Sequence, residues 1–374
     1  MKKFDPVNVS SKFAICGLPI RVDTYKTCSF GCKYCFSNNR VIMEFEKSLQ
    51  VGDIGSVKRR LSKIFDENTS TESNFLNTLI KDRITWHCGG MSDPFQPCER
   101  KFGITKQLVD VTNEYDISIL FSTKADTVYD ANIRPELHTF QLSVTNVDDR
   151  VDIEPNVPSI MKRKEFYDNL KSKGYRVGIR IQPFIPTIST LDIIKTFKDA
   201  DNFTIEGIKL VPQNEEQKQQ MIELLGLSRS DFTQKGLLTL LPEIRLKAYG
   251  IFIDYMNKNN IPYSISDNDL RRFSTNNCCC GDRLITKASG FDTTAMIMKY
   301  GNRYSKEQID DAIKQVAGCT CNSLFTSNRQ EGCKTVQEFY NKRFGRASSP
   351  FSPKYQYFGN GLLQLSMVDK LGIA

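Results

Sequence analysis

The sequence has no apolar run that approaches the ~18 residues a membrane span requires. Its first residues carry Lys2 and Lys3 but no apolar h-region, so a secretory leader is not expected and the chain reads as cytoplasmic. No internal repeat is present, which excludes a solenoid. The polar stretch 66–74 is too short to be a low-complexity tract and reads as an exposed loop. Charge of one sign is also scarce: 51 Lys and Arg against 43 Asp and Glu leave only +8 over 374 residues. Of that excess, +5 falls after residue 266, where 15 basic residues face 10 acidic ones, a weak pointer to a phosphate-bearing partner that a solvated face would equally explain.

Cysteine is what the chain does have. Twelve in a reducing compartment point to metals and redox chemistry rather than to a disulfide framework. Cys28, Cys32 and Cys35 stand in the loop T-C-S-F-G-C-K-Y-C-F-S, after the strand-like run 20–25. A fourth thiol is missing from this loop. Three thiolates hold three corners of a [4Fe-4S] cubane, which usually takes four, and so leave one iron open to a ligand. Zinc loops favour paired Cys-x2-4-Cys units with two further ligands, and only Cys32 and Cys35 form such a pair.

Strand-like and helix-like runs alternate from residue 20 to about 266. Strands are expected at 20–25, 84–88, 117–122, 139–145, 176–184, 203–211 and 262–265, with helices at 56–66, 104–114, 159–172, 191–199, 215–225 and 242–258. This rhythm predicts an α/β fold with a parallel sheet, either an open doubly wound sheet or a barrel, with ligands at the carboxyl ends of the strands. The cysteine loop follows the first strand, and Gly89-Gly90 ends the second, where glycine lets a ligand approach the backbone. A Cys-rich extension or second domain is expected over 267–374, after a first domain over 1–266.

In its Cys28, Cys32, Cys35 spacing the chain resembles the radical S-adenosylmethionine (SAM) enzymes. The segments S-D-P-F-Q-P-C-E, S-T-K, S-V-T-N-V-D-D-R, I-E-P-N-V-P-S and Y-R-V-G-I-R-I-Q-P-F-I-P, in that order over residues 16–212, are similar to the spore photoproduct lyase-like branch of that family, the DNA repair photolyases. The resemblance implies a partial (β/α)6 barrel and a [4Fe-4S] cluster on Cys28, Cys32 and Cys35, whose open iron takes SAM. It further implies Tyr34 near the adenine, Gly89 and Gly90 at the SAM amino group, Lys124 at its carboxylate, and Ser143, Thr145 or Asn146 at the ribose. Glu154-Pro155 matches a Glu-Pro of the branch.

A reductant such as flavodoxin or ferredoxin is the implied electron source, and a nucleic-acid base the implied substrate class. A peptide or metabolite substrate, or a non-catalytic metal-stabilised nucleic-acid-binding protein, remain alternatives. One lack departs from the pattern. The lyase's hydrogen-donating cysteine falls at the position of Gly90 here, leaving Cys88 or Cys98 as substitutes, although Cys88 within a strand also reads as a packed core thiol.

The tail adds Cys278, Cys279, Cys280, Cys319, Cys321 and Cys333, six thiols expected to hold a second Fe–S cluster or zinc. Since neighbouring side chains diverge, two of the three consecutive cysteines plus later ones are the expected ligands. Residues 338–361 interleave aromatics with Lys342, Arg343, Arg346 and Lys354, the ingredients of a single-stranded nucleic-acid surface and equally of a packed tail.

Overall fold

Apolar residues in period-2 and period-3.6 patterns alternate along this chain, and the two patterns bury each other. The structure is a computed structural model. It describes residues 2–10, 16–37, 49–71, 74–212, 214–233, 238–267, 270, 273–276 and 278–289, and the backbone of three short strands beyond them.

Strands β1 (Lys2–Phe4), β2 (Val7–Val9), β3 (Ile20–Val22) and β4 (Gln50–Gly52) come first. Then follow β5 (Trp86–Cys88), β6 (Ile119–Thr123), β7 (His138–Ser143), β8 (Val177–Phe184), β9 (Phe203–Gly207), β10 (Lys209–Leu210), β11 (Leu238–Thr239) and β12 (Tyr263–Ile265). Eight of them form one sheet in the order β12-β9-β8-β7-β6-β5-β3-β2. All its pairings are parallel except β2 on β3. Each new parallel strand adds beside the last, which is the outcome of successive βαβ crossovers.

The result is the expected α/β partial barrel. A seventh parallel strand, β12, extends the six, and β2 covers the other edge. Beyond the barrel, β13 (Tyr304–Ser305), β14 (Tyr355–Phe358) and β15 (Leu362–Leu365) form a separate antiparallel sheet.

The helices Ile54–Phe65, Ile104–Asn113, Ile160–Ser172, Asp192–Thr196, Glu215–Leu224 and Pro242–Lys258 fall where the sequence places them. Asn74 caps a further short helix, Phe75–Lys81, and Ser159 and Asn214 cap theirs, each with a side-chain oxygen that satisfies a first-turn N–H group. Pro242 opens the last long helix, as expected. No described helix is long and apolar enough to cross a membrane.

Alternation along the strands sorts two faces. Val22, Trp86, Cys88, Phe121, Phe140, Ile179 and Ile205 belong to the apolar core that packs the helices. Their neighbours Arg21, His87, Ser122, Gln141, Arg180 and Thr204 point inward and hydrogen-bond one another: His87 Nε2 lies 2.8 Å from Ser122 Oγ, and Gln141 Nε2 donates to Thr204 Oγ1 at 3.2 Å. The inner face is therefore largely polar.

Residues 278–289 close the amino-terminal end of the strands. Cys280 O accepts from Gln141 Nε2 at 3.1 Å, and Lys287 O accepts from the backbone of Thr85 at 3.0 Å. A Cβ on Gly178 would stand 2.6 Å from the tip of Leu284 and 3.0 Å from Asn202 O, so glycine there lets the plug pack closely on the strand. This part of the Cys-rich region is thus packed on the barrel itself.

His138 in β7 supplies a stability prediction. Its Nδ1 accepts from the backbone of Arg134 at 2.7 Å, while its buried Nε2 finds no partner among the described residues. Burial, with Arg134 nearby, pushes its pKa down to about 4. The unfolded chain then binds the extra proton between about pH 6.5 and 4, so stability present near neutrality is lost as pH falls through that window, by at most about 3 kcal/mol. Denaturant midpoints measured at pH 7 and pH 4.5 should show the loss, and His138→Gln should reduce it.

Candidate active site

The cysteine loop leaves β3 through Asp23–Tyr25 and is fastened from two later segments. Gln96 spans it, accepting from Ser29 N at 2.8 Å and donating to Thr27 O at 2.8 Å. Ser92 Oγ holds Tyr25 O at 2.5 Å and Ser37 Oγ holds Met91 O at 2.6 Å. From the other side Lys33 N donates to Ile153 O at 2.9 Å, and Asn156 Nδ2 to Ser29 O at 3.1 Å. Gly31, at φ +64°, makes the left-handed turn between Cys28 and Cys32. Burial raises the thiol of Cys28, with Asp93 adding to the shift, and raises Cys32 to about 12, an effect the Lys124 ammonium opposes. Thiols in such surroundings are poor nucleophiles unless a metal takes the proton's place.

The loop after β5 has a backbone that only glycine permits. Gly89 sits at φ +97°, and a Cβ there would lie 2.2 Å from Ser122 O. Gly90 is exposed, and a Cβ added there would stand 3.9 Å from Arg21 and 4.0 Å from Asp23, so the residue is open to approach. Asp23 receives the amide of Met91 at 2.7 Å. Asp93 receives Phe95 N at 2.9 Å, Thr123 Oγ1 at 2.7 Å and Lys124 N at 2.6 Å, and burial still lifts its carboxyl to about 6.

Lys124, at the end of β6, lies beside Cys32. Its Nζ is 2.6 Å from Glu154 Oε1 and 3.3 Å from Thr145 Oγ1. Tyr34 lies beneath, its ring centroid 5.7 Å from the ammonium, its hydroxyl 3.1 Å from Thr145 Oγ1 and hydrogen-bonded to Glu154. Burial works against charge on Glu154, yet Lys124 and Arg163 hold its pKa below the ordinary value, whereas burial and Glu154 raise Tyr34. Asn146 is also buried. Its Oδ1 accepts from Asp148 N at 3.1 Å and Arg150 N at 3.4 Å, and its Nδ2 has no partner among the described residues. Ser143 is half-buried at the end of β7, its carbonyl held by Arg163 at 2.9 Å.

These placements bring Cys28, Cys32, Tyr34, Lys124 and Glu154 together at the carboxyl ends of β3 to β7. Cys88 is not among them: its side chain is fully buried in the apolar core against the helices, on the strand face opposite His87. Cys98 opens the short helix Glu99–Phe102, half-buried, its thiol pushed up to about 11 by burial and Glu99. Cys319, Cys321 and Cys333 lie outside the described residues, as does most of 338–361.

The three consecutive cysteines depart from expectation. The Sγ atoms of Cys278, Cys279 and Cys280 all lie within 4.8 Å of one another. A tight turn, with Gly281 N on Cys278 O at 2.9 Å and Gly281 at φ +84°, curls the segment and turns adjacent thiols the same way.

Asp93, Gln96 and Glu154 were absent from the residues assigned from sequence to the site. Asp93 and Glu154 had a signal, in Ser92-Asp93-Pro94 and Glu154-Pro155. Gln96 had none, since its role is to hold backbone.

No family model matches the chain. An uncharacterized protein of Methanocaldococcus jannaschii is 26% identical over 210 residues, 54% of this chain and 74% of that protein. Among solved structures, spore photoproduct lyase with bound AdoMet and dinucleoside spore photoproduct aligns over 68% of this chain and 78% of its own, at 14% identity and a TM-score of 0.49. SuiB of Streptococcus suis bound to S-adenosylmethionine aligns over 68% and 52%, at 12% identity and a TM-score of 0.42. The chain is similar to these proteins.

Proposed function

We propose that this protein is a radical SAM enzyme. The observation that carries the reading is the three-cysteine loop at the end of the first parallel strand, clamped by Gln96 and Asn156, with the buried Lys124–Glu154–Tyr34 array against Cys32. Cys28, Cys32 and Cys35 would hold a [4Fe-4S] cluster, and an unshared iron fits a loop with three thiols and no fourth. With SAM bound, such a cluster supplies a 5′-deoxyadenosyl radical.

The chain's own residues fit a ligand of SAM's kind. The open backbone at Gly90 admits an amino group, Lys124 offers a cation for a carboxylate, and the Nδ2 of Asn146 is a buried donor with no partner among the described residues, which is costly unless something accepts from it. Glu154 orients Lys124, and its bond to Tyr34 fixes that ring.

A nucleic-acid base is the proposed substrate class, supported by the motif order and by the basic excess of +5 after residue 266. A flavodoxin- or ferredoxin-type protein is the proposed electron donor.

Anaerobically reconstituted protein given dithionite and SAM is expected to release 5′-deoxyadenosine; none above the protein-free rate would overturn the enzyme assignment. DNA or RNA, single- or double-stranded, is expected to bind with an affinity that drops at least about tenfold between 50 and 200 mM salt, and to stimulate that release. Binding without salt dependence or stimulation would instead move the substrate to a peptide or metabolite.

A further inference from the structure

Away from the proposed SAM site, three thiols converge at the opposite end of the barrel, and a fourth, from the far end of the sequence, is packed in the same cluster. Cys16 belongs to the same small buried cluster as Leu18, Leu120, Cys278, Cys280 and Leu284. The two segments are sewn together: Ser289 N donates to Gly17 O at 2.9 Å and Ser289 Oγ to Cys16 O at 3.4 Å. The guanidinium of Arg21 reaches down from the inner face of β3, with Nη2 3.9 Å from Cys16 Sγ.

The sulfur spacing selects the kind of metal. With metal–sulfur bonds of about 2.3 Å, two thiolates on one ion stand about 3.8 Å apart at the tetrahedral angle and never more than about 4.6 Å. Thiolates on a cubane sit on separate irons and point away from one another, so they stand farther apart. The trio's separations, none above 4.8 Å, have the scale of a single shared ion. Cys16 Sγ stands outside that spacing and donates to Leu18 O at 3.3 Å, so it closes the shell by turning away from that carbonyl. Four thiolates around one divalent ion carry two negative charges, and the buried Arg21 beside them offsets one.

We infer that Cys16, Cys278, Cys279 and Cys280 form a mononuclear tetrathiolate zinc site in the floor of the barrel, joining the N-terminal segment to the start of the C-terminal region. The ion is structural, because four protein ligands close its coordination shell. The site does not depend on the radical SAM reading, and it needs none of Cys319, Cys321 or Cys333.

Its test uses the full chain carrying Cys28→Ala, Cys32→Ala and Cys35→Ala, so that metal at the loop does not contribute. Elemental analysis is expected to give about one zinc per chain and zinc-edge X-ray absorption about four sulfurs at about 2.3 Å. Adding Cys279→Ser and Cys280→Ser should lower the zinc at least about tenfold. Should that variant fail to fold, Cys16→Ser alone keeps three ligands, and zinc should then pass to a chelator at least about tenfold faster. Iron and sulfide in place of zinc, or no metal at all, would overturn the site. Unchanged zinc release in Cys16→Ser would overturn the joining of the two segments.

Discussion

Cys32→Ala is expected to lower iron from about four per chain to below about one after anaerobic reconstitution, and to bring 5′-deoxyadenosine formation to background, a loss of about three orders of magnitude or more. Three protein thiolates are the fewest that leave a single iron open, and with two the cubane has no comparable anchorage. Cys32 also feels the charges of Lys124 and Glu154, so its loss separates the metal from the array proposed to meet SAM. The loop itself should survive, since Gln96, Ile153 and Asn156 hold its backbone rather than its sulfurs. Cys88→Ala is the informative contrast. Its thiol packs against the helices, so the variant should keep its iron and lose only about 1–2 kcal/mol of stability to the cavity. Iron retained by Cys32→Ala, or lost by Cys88→Ala, would contradict the assignment, with iron analysis and denaturant titration as the two measurements.

Gly89→Ala is the substitution expected to damage the fold most. The new methyl would stand 2.2 Å from the carbonyl oxygen of Ser122, and the backbone at φ +97° disfavours any side chain. The obstructing atom is main chain in β6, paired on both sides to β5 and β7, so it cannot step aside without opening a ladder. Strain and overpacking together put the cost at about 3–5 kcal/mol, enough to unfold a chain of ordinary stability. Gly90→Ala, with 3.9 Å of clearance, should keep its denaturant midpoint while raising the KM for SAM, if the backbone there meets the amino group. Equal midpoints for the two variants would show that the strand end yields more than these contacts allow.

The barrel was legible because each of its parallel strands carries β-branched or aromatic residues between helical runs, and those periods are local properties of the chain. What was missed was short or non-local. The three-residue strands β1, β2 and β4 hold too few residues to show a period, and β1 and β4 pair with each other from distant parts of the sequence. Within the site, Cys28, Cys32, Cys35, Gly89 and Lys124 announced themselves by spacing and by position at strand ends. Gln96 did not, because a glutamine that binds backbone looks like any polar loop residue. The divergence expected of Cys278, Cys279 and Cys280 holds for extended chain, and it failed because Gly281 admits a turn that extended chain lacks. The inward thiol near Cys16 was illegible for a simpler reason: 273 residues separate the two segments that meet there.

That separation also sets an order of events during synthesis. A ribosome delivers Cys16 early, but the chain that covers it does not emerge until residue 289 has been added. Until then the lowest layer of the sheet, with Arg21 and Leu120, has no floor. Closing so long a loop carries an entropic cost that the contacts of the formed sheet must offset. The barrel is in this sense a vessel whose base is cut from chain made long after its first wall.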